Sequence, residues 1–215
     1  MSSTTNLNLS YNLPDSEVMN SDSLFDFYIW QPDKIYIVLG RANSIEKSVF
    51  SEIAQRDGVR ILKRDTGGES VVLSPSMLVF SSKITLLKPE KPGNIFRLIN
   101  EQLINSFLKI GIESLYSKGI SDISVNNKKI LGSSMYLKGK VLFYHAVLNI
   151  NEDVSLISKY LKHPTREPDY REGRAHNEFV TSLYSEGYTF EYNTIKEAVT
   201  DAFKKLYTIL GANMN

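Results

Sequence analysis

The chain has 215 residues, and its 25 lysines and arginines are nearly matched by 24 aspartates and glutamates, so any basic site is local and no nucleic-acid-binding face is expected. It contains no cysteine, which excludes disulfides, thiolate metal sites and a cysteine nucleophile and suits a reducing cytoplasm. No apolar run reaches the roughly 18 residues of a membrane span, so a soluble protein with a substantial core is expected.

Residues 1–20, rich in Ser, Thr and Asn, carry neither a basic leader nor an apolar run and read as a flexible N-terminal segment, with a single domain over 21–215. The runs 25–30, 34–39, 59–63, 70–73 and 78–84 are short, rich in Ile, Val, Phe and Tyr, and bounded by Pro, Gly, Asp or Ser, which predicts strands. Between them Ile45, Val49, Phe50 and Ile53 keep three-to-four spacing, predicting a helix over 45–55 with Ser44 as its N-cap. Phe96, Ile99, Leu103, Phe107 and Ile110 form the stripe of a core-facing helix over 94–110 that stops at Gly111.

After this helix, residues 123–125 and 129–137 flank Asn126-Asn127, a pair that tolerates positive φ and so predicts a two-residue hairpin turn. Lys138-Gly139 turns the chain again into 141–150, giving a meander that fixes the direction of Lys129. A short helix over 152–161 follows. Residues 163–177, with His163, His176, Arg166, Arg171 and Arg174, read as a solvated polar loop, with an acceptor's acidic surface as the alternative partner. A last helix over 194–210 buries Ile195, Ala198, Val199, Ala202, Phe203, Leu206 and Leu210 on one face, capped by Asn193 or Thr194. The order is mixed α+β, with largely antiparallel sheets packed with helices.

Two basic, glycine-punctuated segments stand out. Lys63-Arg64-Asp65-Thr66-Gly67-Gly68 and Asn126-Asn127-Lys128-Lys129-Ile130-Leu131-Gly132-Ser133-Ser134 lie about sixty residues apart and look like two walls of one anion site. The first supplies backbone amides and an arginine, the second a lysine, a set suited to an acyl phosphate. Taken singly, Gly67-Gly68 reads as a hairpin turn, Lys129 as a solvated strand lysine, and His145 equally as a hydrogen-bonded core residue or a site residue.

Three segments together resemble the catalytic domain of the lipoate-protein ligase family, within the wider biotin and lipoate ligase and octanoyltransferase group. Val38-Leu39-Gly40-Arg41-Ala42-Asn43 is similar to a Gly-Arg-x-Gln element, with Asn43 in place of Gln. The run from Lys63 through Glu69-Ser70-Val71-Val72-Leu73 is similar to Arg-Arg-x-Ser/Thr-Gly-Gly-Gly-Ala-Val-x-His. Ser121-Asp122-Ile123, Lys129-Ile130-Leu131-Gly132-Ser133-Ser134 and Tyr144-His145-Ala146-Val147-Leu148 are similar to Asn-Asp-Ile, Lys-Ile-x-Gly-Ser-Ala and His-His-Gly-Thr-Leu.

The resemblance implies that ATP and Mg2+ activate lipoate or octanoate to an acyl-adenylate, from which the acyl group passes to a lysine of an acceptor. That acceptor would be the lipoyl domain of a 2-oxoacid dehydrogenase complex or a glycine cleavage H-like protein. It further implies catalytic roles for Lys129, an electrostatic clamp, and for Asp122, which would orient the metal or the incoming amine. Arg64, Thr66, Gly67, Gly68, Glu69, Ser70, Val71, Val72, Lys129, Gly132, Ser133 and His145 would bind nucleotide and acyl group. Glu69 stands at the third glycine of the loop, Leu73 at the histidine and Ser121 at the asparagine. The family's C-terminal accessory domain is expected to be missing, with a separate subunit as its replacement. The rivals are an ATP-independent octanoyl or lipoyl transferase and a noncatalytic relative that binds lipoyl compounds or an acceptor.

Overall fold

A computed structural model describes residues 10–86 and 88–212. Among these described residues, nine strands form two sheets. The larger, in the order β1 (Phe25–Trp30), β5 (Met77–Thr85), β9 (Val141–Asn149), β8 (Lys128–Lys138), β7 (Asp122–Val125), β6 (Leu115–Lys118), is antiparallel throughout. The smaller has β2 (Tyr36–Leu39) at its centre, parallel to β3 (Arg60–Lys63) and antiparallel to β4 (Val71–Leu73). The protein is α+β, as the mixed order of elements predicts.

Strand alternation stacks these sheets into layers. On β9, Leu142, Tyr144, Ala146 and Leu148 face a core shared with α3 (Pro92–Lys109) and α6 (Tyr192–Ala212). On β2, Tyr36 and Val38 face a second core with Trp30, Leu73 and Val79, while Ile37 and Leu39 face a third. That third core packs against α1 (Ile45–Ser48), α2 (Ser51–Arg56) and α4 (Val154–Tyr160). The small sheet thus lies between the large sheet and a helical layer, and the odd-numbered side chains of β9, His145 among them, point away from α3 and α6.

Several local expectations hold at the level of atoms. The turn residues Asn126 and Asn127 have φ of 46° and 66°, and β7, β8 and β9 form the meander. Helix α3 ends in a Schellman motif: Gly111 has φ of 89°, and the Ile112 amide donates to Phe107 O at 3.1 Å.

Two local expectations are corrected, and one strand was not anticipated. The helix over 45–55 is two short helices, because Val49 is extended and bridges Leu161 while the Phe50 amide donates to Tyr160 O at 2.9 Å. Of the apolar stripe, Ile45, Val49 and Ile53 join the core shared with α4, while Phe50 is exposed. The N-terminal segment read as flexible is folded from Ser10 onward, residues 1–9 lying outside the described residues. Pro14–Asn20 is a 3-10 turn, Leu13 and Val18 are buried, and the Asp15 carboxylate is fully enclosed. Finally, β6 went unread because Leu115-Tyr116-Ser117-Lys118 is too short to show a period. Among the described residues, no helix is long and apolar enough to cross a membrane.

Candidate functional site

A cavity of about 200 Å³ opens between β4 with its preceding loop, the outer face of β8 and β9, and the 162–180 segment. Of the residues expected at a site, Arg64, Gly68, Glu69, Ser70, Val71, Val72, Lys129, Gly132, Ser133 and His145 line it. Thr66 and Asp122 are buried beside this lining, and Gly67 is exposed outside it. The two walls are joined where the Ser134 hydroxyl donates to Thr66 Oγ1 at 2.9 Å.

Lys129 reaches this cavity because β8 carries a bulge. Ile123 pairs with Leu131 and the next residue, Ser124, pairs with Lys129, so Ile130 is an extra residue in β8. Strict alternation would put Lys129 on the same face as Leu131, in the helix-side core. The inserted residue turns it to the face of Gly132 and Ser134 instead. Its ammonium lies 2.8 Å from Asp122 Oδ1, with side-chain exposures of 28% and 7%. The Tyr170 hydroxyl donates to Asp122 Oδ2 at 2.8 Å, so both carboxylate oxygens are engaged. Burial, reinforced by Asp122, drives the Tyr170 phenol far above its ordinary pKa, so it stays a proton donor. Gly132 gives the lysine its space: a Cβ there would lie 2.6 Å from Lys129 Cε and 2.7 Å from Nζ.

The glycine loop is held from within. Arg64, expected on phosphate, is buried, and its Nη2 donates to Gly67 O and Glu69 O, both at 2.9 Å. Its Nε is buried without a hydrogen-bond partner among the described residues. Burial pushes its pKa down to about 10, against the opposing pull of Tyr11 and Glu69, and it remains a cation at neutral pH. Arg64 therefore shapes the loop first, with one donor left over. Gly68 has φ of 83°, a left-handed conformation natural to glycine. Glu69 lines the cavity; its Oε2 accepts from Asn43 Nδ2 at 3.0 Å. Asn43 Oδ1 in turn accepts from the Gly40 amide at 3.0 Å and from Ser70 Oγ at 3.2 Å.

On the large sheet, His145 Nδ1 lies 3.1 Å from both Asp15 Oδ2 and Ser81 Oγ, and the Ser81 hydroxyl donates to the same aspartate oxygen. The Tyr11 hydroxyl donates to Asp15 Oδ1 at 2.8 Å. Desolvation alone would raise the Asp15 pKa, but His145, Ser81 and Tyr11 together hold it below the ordinary carboxylate range. His145 Nε2 is buried with no partner among the described residues. One nitrogen of this histidine is anchored in the core, and the residue lines the cavity.

The segment 163–177, read as a solvated loop, is exposed or half-buried except at Arg171. Arg171 is 5% exposed and Phe179 is buried, and the Arg171 and Arg174 guanidinium carbons stand 4.8 and 5.2 Å from the Phe179 ring centroid. Lys162, Arg166, Arg171, His176 and Phe179 line the cavity. Sequence reasoning also passed over Asp15, Tyr170 and Ser134. For Tyr170 the only cue was its place in a stretch of alternating charges, and for Asp15 there was none, since a carboxylate in a polar N-terminal tail reads as solvated.

A metal role for Asp122 does not fit this arrangement, because Lys129 and Tyr170 already take its two oxygens. Among the described residues no three His, Asp or Glu stand together to hold a cation.

Comparison with known proteins agrees with the geometry. The chain is 26% identical over 196 residues to lipoate-protein ligase A of Psychrobacter cryohalolentis, covering 88% of this chain and 53% of that protein. It is 23% identical over 207 residues to octanoyltransferase LipM of Geobacillus kaustophilus, covering 83% and 73%. In fold it is similar to the bi-partite lipoate protein ligase of Thermoplasma acidophilum, solved in work on an archaeal lipoylation system with its E2 lipoyl domain. There the TM-score is 0.73 at 20% identity, over 84% of this chain and 70% of that one. This chain thus spans about half the length of the Psychrobacter ligase. The profile of the Lipoyl protein ligase A/B catalytic domain matches residues 5–204, nearly the whole chain, and the protein belongs to that family.

Proposed function

We propose that the protein is an ATP-dependent lipoate ligase. Its substrate is lipoate or octanoate, and its product is an amide on a lysine of a lipoyl acceptor domain. In the first half-reaction a carboxylate oxygen bonds to the α-phosphorus of ATP as the bond to pyrophosphate breaks. In the second, the acceptor amine attacks the acyl carbon, the bond to AMP breaks, and the amine loses a proton.

The observation that carries this reading is that Lys129 and the glycine loop line one cavity, although about sixty residues separate them in sequence. Charge develops on the acyl and phosphate oxygens in both half-reactions, and a positioned ammonium stabilises it. Asp122, held by Tyr170, fixes where that ammonium sits. Gly67 and Gly68 carry no side chain of their own to screen the loop amides from an oxyanion. The apolar part of the lining, Val71, Val72, Met77, Val147, Ile157 and Leu161, suits a medium-length acyl chain. Among the described residues no three carboxylate or imidazole side chains stand together to hold Mg2+.

Acyl transfer from a thioester donor without ATP is the second reading. The Glu69 carboxylate on the cavity wall favours it by opposing a polyphosphate, whereas the absence of a cysteine nucleophile favours the ligase. The bi-partite architecture of the Thermoplasma ligase supports a separate accessory subunit for this chain as well. The deciding experiment is lipoate-dependent exchange of pyrophosphate into ATP, compared with Lys129→Ala. Exchange that vanishes in the variant supports the ligase and its clamp. No exchange from the parent with lipoate or octanoate, with accessory subunit supplied, rejects it.

A further inference from the structure

Arg171 and Arg64 are the two buried arginines on the cavity wall, and no part of the glycine loop or the Lys129 motif accounts for Arg171. Its Nε donates to Arg174 O at 2.9 Å and lies 3.4 Å from Glu167 Oε2. Its guanidinium lies over the Phe179 ring, and its backbone amide donates to Pro168 O at 2.8 Å. Arg174 closes the frame from the other side, donating from Nε to Arg171 O at 3.0 Å and from Nη2 to Tyr170 O at 2.7 Å. The contacts to Arg174 O, Glu167 and Phe179 orient the guanidinium, and the others hold the backbone around it. Yet Arg171 Nη2 is buried with no hydrogen-bond partner among the described residues. A pre-oriented, desolvated guanidinium with an unused donor on a cavity wall is the form an oxyanion subsite takes.

A second observation says why the cavity needs it. Glu69 puts a carboxylate into the loop that faces phosphate, and its field reaches both Arg64 and Arg171. Arg64 has already committed Nη2 to the loop carbonyls. Without Arg171, the attraction of this wall for a phosphate would rest on Lys129 and on Lys162 and Arg166, which are less enclosed.

We propose that Arg171 is an oxyanion-binding residue that holds a substrate phosphate group opposite the glycine loop and offsets the charge of Glu69. The inference rests on the ligase reading for its choice of phosphate; the carboxylate of the acyl substrate offers the same chemistry from a second source. Arg171 binds through a planar fork, so a lysine, which keeps the charge but not the fork, does not replace it.

The test is calorimetric binding of three probes, ATP, inorganic pyrophosphate and octanoate, to the parent, Arg171→Lys and Glu69→Gln. Loss of one charge-assisted bond is expected to weaken pyrophosphate and ATP binding about tenfold or more in Arg171→Lys, with octanoate unchanged. Removing the opposing charge in Glu69→Gln is expected to tighten both phosphate ligands severalfold. Weakened octanoate with unchanged pyrophosphate overturns the phosphate assignment. Equal affinities of parent and Arg171→Lys for all three probes, or no pyrophosphate or ATP binding by the parent, overturn the subsite itself. If circular dichroism shows that Arg171→Lys does not fold, Glu69→Gln decides alone, and unchanged phosphate affinity there rejects the proposal. Because binding is read without turnover, a parent that binds pyrophosphate through Arg171 but catalyses no exchange rejects the ligase reading and leaves the subsite standing.

Discussion

Two glycine-to-alanine substitutions separate what positions Lys129 from what holds the fold. In Gly132→Ala the new Cβ would stand 2.6 Å from Lys129 Cε and 2.7 Å from Nζ, whereas unstrained carbon contacts lie at about 3.5–4.0 Å. The intruded group is the far end of a flexible side chain, so it moves by about 1 Å and the backbone does not. A shift of that size breaks the 2.8 Å contact with Asp122, a charge-assisted bond worth about 1.5–3 kcal/mol. Expressed as catalysis, this is a loss of roughly ten- to a hundredfold in pyrophosphate exchange. The cost in stability is smaller, about 1–2 kcal/mol, because water reaches the displaced ammonium while Asp122 keeps Tyr170. Gly40→Ala differs in kind: its Cβ would lie 1.9 Å from Gly68 O and 3.0 Å from Gly68 C, both backbone atoms. The glycine loop must then shift as a unit, at about 3 kcal/mol, the upper end of ordinary overpacking. Thermal unfolding by circular dichroism, at about 2–4 °C per kcal/mol, measured beside exchange activity, checks both. Gly132→Ala that keeps the parental exchange rate, or that melts as low as Gly40→Ala, refutes the reasoning.

Tyr170→Phe keeps the ring on Phe179 but removes the donor to Asp122, and exchange is expected to fall about tenfold in kcat with KM nearly unchanged. A rise in KM without a fall in kcat would show that Tyr170 acts on binding instead of on Lys129. The depressed pKa of buried Asp15 contributes stability that is complete above its ordinary value of 3.8 and is lost as pH falls through the lower folded value. Melting temperature followed from pH 7 to pH 3 is therefore expected to fall more steeply in the parent than in Asp15→Asn, and parallel curves would reject the role. Asn127→Ala, which puts alanine at φ of 66°, is expected to lower the melting temperature by about 2–4 °C, equivalent to about 1 kcal/mol. A double-mutant cycle on Asn43→Ala and Glu69→Ala, read by urea unfolding, is expected to give a coupling of about 0.5 kcal/mol or more, and strict additivity would show the pair is not energetically joined.

What the sequence made legible was whatever repeats locally. The stripes of α3 and α6, the Asn126-Asn127 turn and the glycine stop after α3 each depend on residues within a few positions of one another. What it hid depends on partners far along the chain. Asp15 is buried where Ser81 and His145, more than sixty residues away, join nearby Tyr11 in contacting its carboxylate. Arg64 reads as a free cation until the carbonyls of Gly67 and Glu69 fold back onto it. Lys129 shows why motif and period must be weighed together: alternation alone assigns it to the helix-side core, and the bulge at Ile130, which no composition signals, turns it to the cavity.

The departures from the family's motifs follow the same logic. Leu73, standing where the motif has histidine, is buried beside Trp30 and Tyr36, so that position serves packing here. Asn43 and Glu69 each depart from the pattern and are each other's partners, the amide of one donating to the carboxylate of the other. Asn43 also binds the Gly40 amide and the Ser70 hydroxyl, which ties the turn after β2 to the loop before β4. The carboxylate is therefore accommodated by a side chain that already organises the loop, and the loop's shape does not depend on a third glycine. What Glu69 changes at this wall is charge. The effect of that charge on substrate depends on how many cations oppose it, which is why the donor left free on Arg171 bears on the same question as the lost glycine.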